Sequence, residues 1–238
     1  AIYFANPSKK LFVIGVTGTA GKSTTVIMLA KILNFSGKKT GYITTTGSFD
    51  GNSANTNKHG LSMPGGWMLQ KQLSEMVTNG CTQAIVECTS EGLAQNRHLG
   101  IKFQAALFTN LSPAHIDNHG SFENYRAAKG KLFESIEQTA NSFIGVNLDD
   151  PNKNYFLQFN AAKKFGVSAR EDLEIPNGLT SYVAESIKVD NQITFKVKGV
   201  GFNLHLIGTF NVTNATLAVA AANYLGVSFE SAAETLSN

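Results

Sequence analysis

Cysteine, proline, tryptophan and net charge are all scarce here: 238 residues hold two Cys, five Pro and one Trp, and 20 Lys and Arg against 17 Asp and Glu leave +3. Two cysteines, Cys81 and Cys88, are too few for a disulfide framework or a structural zinc site. Cys88 lies in an apolar run that reads as a strand, so reduced core thiols are expected. Pro151 and Pro176, with Gly178, mark loops, and no low-complexity linker divides the chain. The basic residues fall singly and in pairs, without a basic stripe or interleaved stacking aromatics, which argues against a nucleic-acid partner. No apolar stretch approaches the ~20 residues of a bilayer crossing, and the opening AIYFANPSKK lacks the order of a secretory signal. No membrane association and a cytoplasmic location are therefore expected. What is present, 42% hydrophobic and 16% charged residues, suffices for a sizeable core.

Short apolar runs alternate with stretches whose apolar residues recur at helical spacing. Residues 11–16 (LFVIGV) read as a strand ending in a glycine-rich turn, and 22–35 as a helix before Gly37. Strands are predicted at 40–45, 83–88, 105–109 and 142–147, and helices at 67–77 and 122–137. That order predicts an α/β fold, a mostly parallel sheet flanked by helices on both faces. Beyond Asp150 the texture changes. Segments 182–189 and 193–197 alternate apolar and polar residues about an Asp190-Asn191 turn, and 202–206 follows, giving a small antiparallel β flap in the C-terminal third. The Ala-rich stretch 211–225 reads as a helix stopped by Gly226, and Ser228 is placed to cap a last short one.

The strongest single feature is GVTGTAGKSTT at 15–25, between a predicted strand and a predicted helix. Glycines let backbone N–H groups turn inward around phosphate oxygens, and a helix N-terminus adds favourable partial charge. Thr17, Gly18, Thr19, Ala20, Gly21, Lys22, Ser23 and Thr24 are thus candidates to cradle a nucleoside triphosphate, Lys22 on the β/γ-phosphates and Ser23 on Mg²⁺. The strict spacing G-x-x-x-x-G-K-[ST] requires glycine at position 16, where this chain has Val16.

Two further segments place polar residues at predicted strand ends, where open α/β sheets bind ligands. They are ECTSEGLAQNR at 87–97 and FTNLSPAHIDNHG at 108–120, the latter running into ENYRAAK at 123–129. Taken singly, Glu87 also fits a capping or salt-bridged carboxylate, His115 a satisfied loop histidine, Lys129 a surface lysine on a helix and Arg97 a simple surface charge.

Together with the phosphate loop, these segments, NLDDP at 147–151 and GTFNVTN at 208–214 resemble the central ATPase domain of the Mur ligases, ADP-forming amide-bond synthetases of peptidoglycan precursor assembly. Within that family, T-S-x-G-L-x-Q-x-R and H-G-x-x-E-N-Y-x-A-A-K are most similar to the ligase adding diaminopimelate or lysine to UDP-N-acetylmuramoyl-L-alanyl-D-glutamate. The resemblance implies ATP and two Mg²⁺ as cofactors. By that likeness Lys22 and Ser23 hold the triphosphate and first metal, Glu87 is a magnesium carboxylate, His115 helps hold the second metal, and Lys129 matches a carbamylated lysine. Asn211 and Asn214 match asparagines near the nucleotide; Ser62, Thr89, Gln95 and Arg97 match positions that contact a UDP-muramyl-dipeptide substrate.

There are departures. Ser62-Met63-Pro64 stands where the family has Thr-Thr-Pro, Ala114 where an aspartate precedes the metal-site histidine, and Glu91 where a histidine is common. The resemblance also implies that 1–238 is one central domain, flanked in the full-length protein by a UDP-binding and an amino-acid-binding domain, and by itself not competent to ligate. Two other readings stay open: another ligase core of the folylpolyglutamate-synthase type, and a nucleotide-binding interaction module that has lost ligase chemistry.

Overall fold

The computed structural model describes residues 1–57, 63–113 and 116–238. The apolar runs become strands of one sheet: β1 (Phe12–Thr17), β2 (Thr40–Ile43), β3 (Gly47–Phe49), β4 (Ala54–Thr56), β5 (Gln83–Glu87), β6 (Ala105–Phe108), β7 (Phe143–Asn147), β8 (Lys163–Ser168), β9 (Thr180–Val189), β10 (Ile193–Val197) and β11 (Val200–Leu204). Their order is β11-β10-β9-β8-β7-β6-β1-β5-β2-β3-β4. All pairings from β2 to β9 are parallel, and antiparallel strands finish both ends.

Side chains of a strand alternate between its faces, and here both faces are covered. Ile14, Val16, Ile85 and Leu107 enter one core, and Val13, Ala84, Val86, Ala106 and Phe108 the other. The first core is closed by α1 (Lys22–Phe35), α7 (Phe210–Tyr224) and α8 (Phe229–Ser237), the second by α2 (Gly66–Thr78) and α5 (Phe122–Glu134). Shorter helices α3 (Ser90–Ala94), α4 (Ile116–His119) and α6 (Lys153–Leu157) lie in the connections. Helix α7 packs between α1 and strands β7 to β9, which is why its alanine-rich sequence is buried almost all round.

The sheet is wider than the sequence suggests. Strand β8 (KKFGVS) escapes periodicity because two lysines and a glycine interrupt it, although Phe165 and Val167 are core residues. The β3–β4 hairpin has only three-residue strands with little apolar character. The C-terminal antiparallel strands continue the main sheet, because β9 pairs in parallel with β8. Strand β11 starts earlier than expected, at Val200. Lys198 and Gly199, at φ 52° and 81°, make a tight turn that sets Val200 opposite Val197. Cys81 and Cys88 are buried free thiols, and among the described residues no helix is long and apolar enough to cross a membrane.

Helix α5 carries a predicted site residue, Lys129, so its start matters. The Ser121 hydroxyl accepts a hydrogen bond from Asn124 N at 3.1 Å and caps it. Ser121→Ala is expected to cost about 1 kcal/mol, read as a lower denaturant midpoint at unchanged slope.

Candidate functional site

The carboxyl ends of β1, β5 and β6 bring three sequence-distant segments to one edge of the sheet. Between β1 and α1 the chain turns through 18–21. Thr17 Oγ1 donates to Cys88 O at 2.8 Å, tying the ends of β1 and β5. Gly21 sits at φ +80°, and a Cβ there would lie 2.7 Å from Asn214 Nδ2, so conformation and contact both require glycine. A Cβ on Gly18 would lie 3.0 Å from the Asn110 carbonyl oxygen. Lys22 Nζ donates to Thr19 O at 2.9 Å and stands 3.9 Å from Glu87 Oε1. Thr24 is half-buried on the first turn of α1, beside a cleft lined by Ile27, Leu204 and Leu206.

The loop is held from the end of β6. Thr109 Oγ1 and Asn110 Nδ2 donate to Ala20 O at 2.7 and 3.0 Å, and Asn110 Oδ1 accepts from Ala20 N at 3.0 Å. Thr19 N donates to Asn110 O at 2.8 Å, and the Thr19 and Tyr125 hydroxyls are 2.9 Å apart. Behind this segment, Asp150 Oδ2 accepts from Leu111 N at 2.6 Å and Asn147 Nδ2 donates to Thr109 O at 2.6 Å. Thr109 and Asn110 fall in the segment 108–120 singled out in the sequence, at the end of the predicted strand 105–109, but neither is matched to a role there.

Glu87 ends β5 with 3% of its surface exposed. Its Oε2 accepts from Ser23 Oγ at 2.6 Å and Thr45 N at 3.0 Å, and its Oε1 accepts from Thr45 Oγ1 at 2.8 Å. A serine hydroxyl against a carboxylate is an oxygen donor pair of the kind Mg²⁺ takes, with waters and phosphate completing its shell. Thr45 is a further residue that sequence reasoning passes over; its signal is the run Thr44-Thr45-Thr46 after β2. Among the described residues there is no group of three or more His, Cys, Asp or Glu able to hold a metal. His115 and Ser62 lie outside the described residues.

Lys129 reaches the same loop from α5. It is 2% exposed, its Nζ donates to Gly18 O at 2.8 Å, and it lies 4.4 Å from the centre of the Tyr125 ring. Burial, aided by the neighbouring charge of Lys22, pulls its pKa down to about 7, and Glu91 and Glu87 oppose the shift only in part. Burial also lowers the pKa of Lys22, against the pull of Glu87 and Glu91. A substantial share of Lys129 is therefore the neutral amine near pH 7, the form that can attack CO₂.

Of the two asparagines near the start of α7, Asn214 lies against Gly21. Asn211 stands behind it, accepting from Asn214 Nδ2 at 3.2 Å and donating to Ile207 O at 2.8 Å. Three of the residues matched to substrate contacts, Thr89, Gln95 and Arg97, lie at the two ends of α3 or just beyond it. Thr89 caps α3, accepting from Gly92 N at 3.2 Å. Gln95 Oε1 accepts from Arg97 Nη2 at 2.6 Å, and Arg97 Nη1 donates to Met63 O at 2.7 Å. Thus Thr17 to Thr24, Glu87, Lys129 and Asn214 converge on the loop, whereas Gln95 and Arg97 lie beyond the far end of α3.

Residues 16–222 match the family model of the Mur ligase middle domain. The chain is 32% identical over 242 residues to a UDP-N-acetylmuramoyl-L-alanyl-D-glutamate–2,6-diaminopimelate ligase of Halalkalibacterium halodurans, across 98% of this chain and 48% of that protein. It is 36% identical over 223 residues to a UDP-N-acetylmuramyl-tripeptide synthetase of Borrelia garinii subsp. bavariensis, across 92% of this chain and 43% of that one. The chain therefore spans about half the length of the curated relatives it matches. A solved structure of a UDP-N-acetylmuramoyl-L-alanyl-D-glutamate–2,6-diaminopimelate ligase superposes with a TM-score of 0.79 at 26% identity, over 95% of this chain and 46% of that chain.

Proposed function

Because this chain belongs to the Mur ligase middle-domain family, we propose that it is the ATP-binding core of an ADP-forming ligase adding the third residue to UDP-N-acetylmuramoyl-L-alanyl-D-glutamate. The observation that carries this reading is the convergence on one phosphate loop of Lys22, the Ser23–Glu87 pair and the near-neutral Lys129. In this reading the 238 residues are the central unit. The UDP-binding and amino-acid-binding parts belong to the regions of the relatives that the chain does not span.

The residues present fit Mg²⁺ and a nucleotide. Gly18 and Gly21 let the loop pass close against Asn110 and Asn214, and Ser23 and Glu87 supply oxygen donors. Bound Mg²⁺ would offset the charge that develops on the transferred phosphoryl group. Lys22 binds the β/γ-phosphates, the loop N–H groups orient them, and Asn214 braces Gly21 from behind. In its neutral form the Lys129 amine would add to the carbon of CO₂ and release one proton to solvent, giving a carbamate that would offer oxygen to a metal. His115 is assigned to the second metal. Ser62, Thr89, Gln95 and Arg97 are assigned to the muramyl substrate by likeness to the family. In the whole ligase, positioning and electrostatics carry the reaction: the substrate carboxylate attacks the γ-phosphorus, ADP leaves, and an amine displaces phosphate from the acyl phosphate.

Calorimetric titration of the chain with Mg²⁺ and a non-hydrolysable ATP analogue tests the reading. One saturable site is expected; no heat of binding from a folded chain would overturn it.

A further inference from the structure

We propose that Thr45 is a positioning residue of this site, fixing the plane of the Glu87 carboxylate so that Oε2 faces Ser23 and the metal. The inference rests on the Mg²⁺-nucleotide reading above. Both oxygens of the carboxylate are engaged by this single residue, Oε2 by its backbone N at 3.0 Å and Oε1 by its hydroxyl at 2.8 Å. The terminal torsion of a glutamate is broad and two-fold, so one hydrogen bond leaves the carboxylate plane loosely set, whereas two donors on a rigid segment define it.

The segment is rigid. Parallel register sets Ile43 opposite Val86, so the chain leaving β2 passes beside Glu87 as β5 ends. Thr44 N and Thr44 Oγ1 both bond Gly47 O at 2.8 Å, closing a tight turn. Asn57 Nδ2 donates to Thr45 O at 2.9 Å from the far end of the β3–β4 hairpin. With its carboxylate fixed in this way, Glu87 meets the Ser23 hydroxyl at 2.6 Å through Oε2 and leaves Oε1 on the side of Lys22. Thr45 adds no charge, and its part is to hold the orientation of a group that does.

The test compares nucleotide affinity with Mg²⁺ and with EDTA, using a non-hydrolysable ATP analogue in calorimetry. Thr45→Val keeps the size, the β-branch and the backbone donor and removes only the hydroxyl. It is expected to cut the Mg²⁺-dependent gain in affinity about tenfold while the EDTA value stays within about twofold. Thr45→Ser is expected to restore the gain to within about threefold. Thr45→Ala reports the same loss should valine perturb the turn. A purely structural role would instead lower the melting temperature and weaken both affinities together. Full Mg²⁺ stimulation in Thr45→Val and Thr45→Ala, or equal loss in Thr45→Ser, would overturn the assignment of Thr45 and leave the nucleotide site standing. Failure of the folded wild-type chain to bind at all would remove the underlying reading, and this inference with it.

Discussion

Lys22→Ala is expected to weaken binding of Mg²⁺ and a non-hydrolysable ATP analogue on the order of 100-fold. Truncating one partner of a desolvated charge pair costs roughly 2–5 kcal/mol, and each 1.4 kcal/mol is tenfold. The variant should remain folded. Lys22 is 14% exposed, its carbonyl partner Thr19 O lies at a solvent-facing loop, and Glu87 keeps its bonds from Ser23 and Thr45. Unchanged circular dichroism and melting, with lost binding heat, is the outcome that assigns the site to this loop. Binding within threefold of wild type would mean that the nucleotide sits elsewhere.

Lys129 leads to a second large effect, on stability. An ordinary lysine titrates near 10.5, and in this fold Lys129 does so at about 7. Between those values the unfolded chain binds a proton that the folded chain does not. Stability therefore rises with pH across this window, and below about pH 7 the folded state bears the full cost of a buried ammonium. That interval corresponds to on the order of 5 kcal/mol. Lys129→Met removes the cost and leaves Gly18 O without its donor, a loss of about 1–3 kcal/mol. In bicarbonate-free buffer the variant is expected to exceed wild type by a few kcal/mol at pH 6, with the gap closing near about pH 9 and wild type the more stable by pH 10. Denaturant midpoints taken as differences between the two proteins cancel every other titrating group. A gap that is constant with pH would show that Lys129 titrates normally.

The local parts of this site are legible in the sequence. A strand, a glycine turn and a helix beginning at Lys22 are fixed by spacing, and the structure adds that Gly21 needs positive φ and clearance from Asn214 and that Thr109 and Asn110 brace the loop. Helix α5 starts where Ser121 can cap it, another short-range fact. Strand β8 is less legible, because its core residues Phe165 and Val167 are embedded among lysines and glycine and become apolar in effect only once α7 covers them.

By itself the sequence determined the alternation of elements, the two-faced parallel sheet and the phosphate loop. These follow from the periods of helix and strand and from the conformational freedom of glycine, all of which act over a few residues. Only the tertiary structure decided that Glu87 meets Ser23 from 64 positions away, that Thr45 orients it from 42, and that Lys129 reaches Gly18 across 111. Those contacts depend on which strand ends lie side by side. The lowered pKa of Lys129 depends on burial among residues that the chain brings together only when folded.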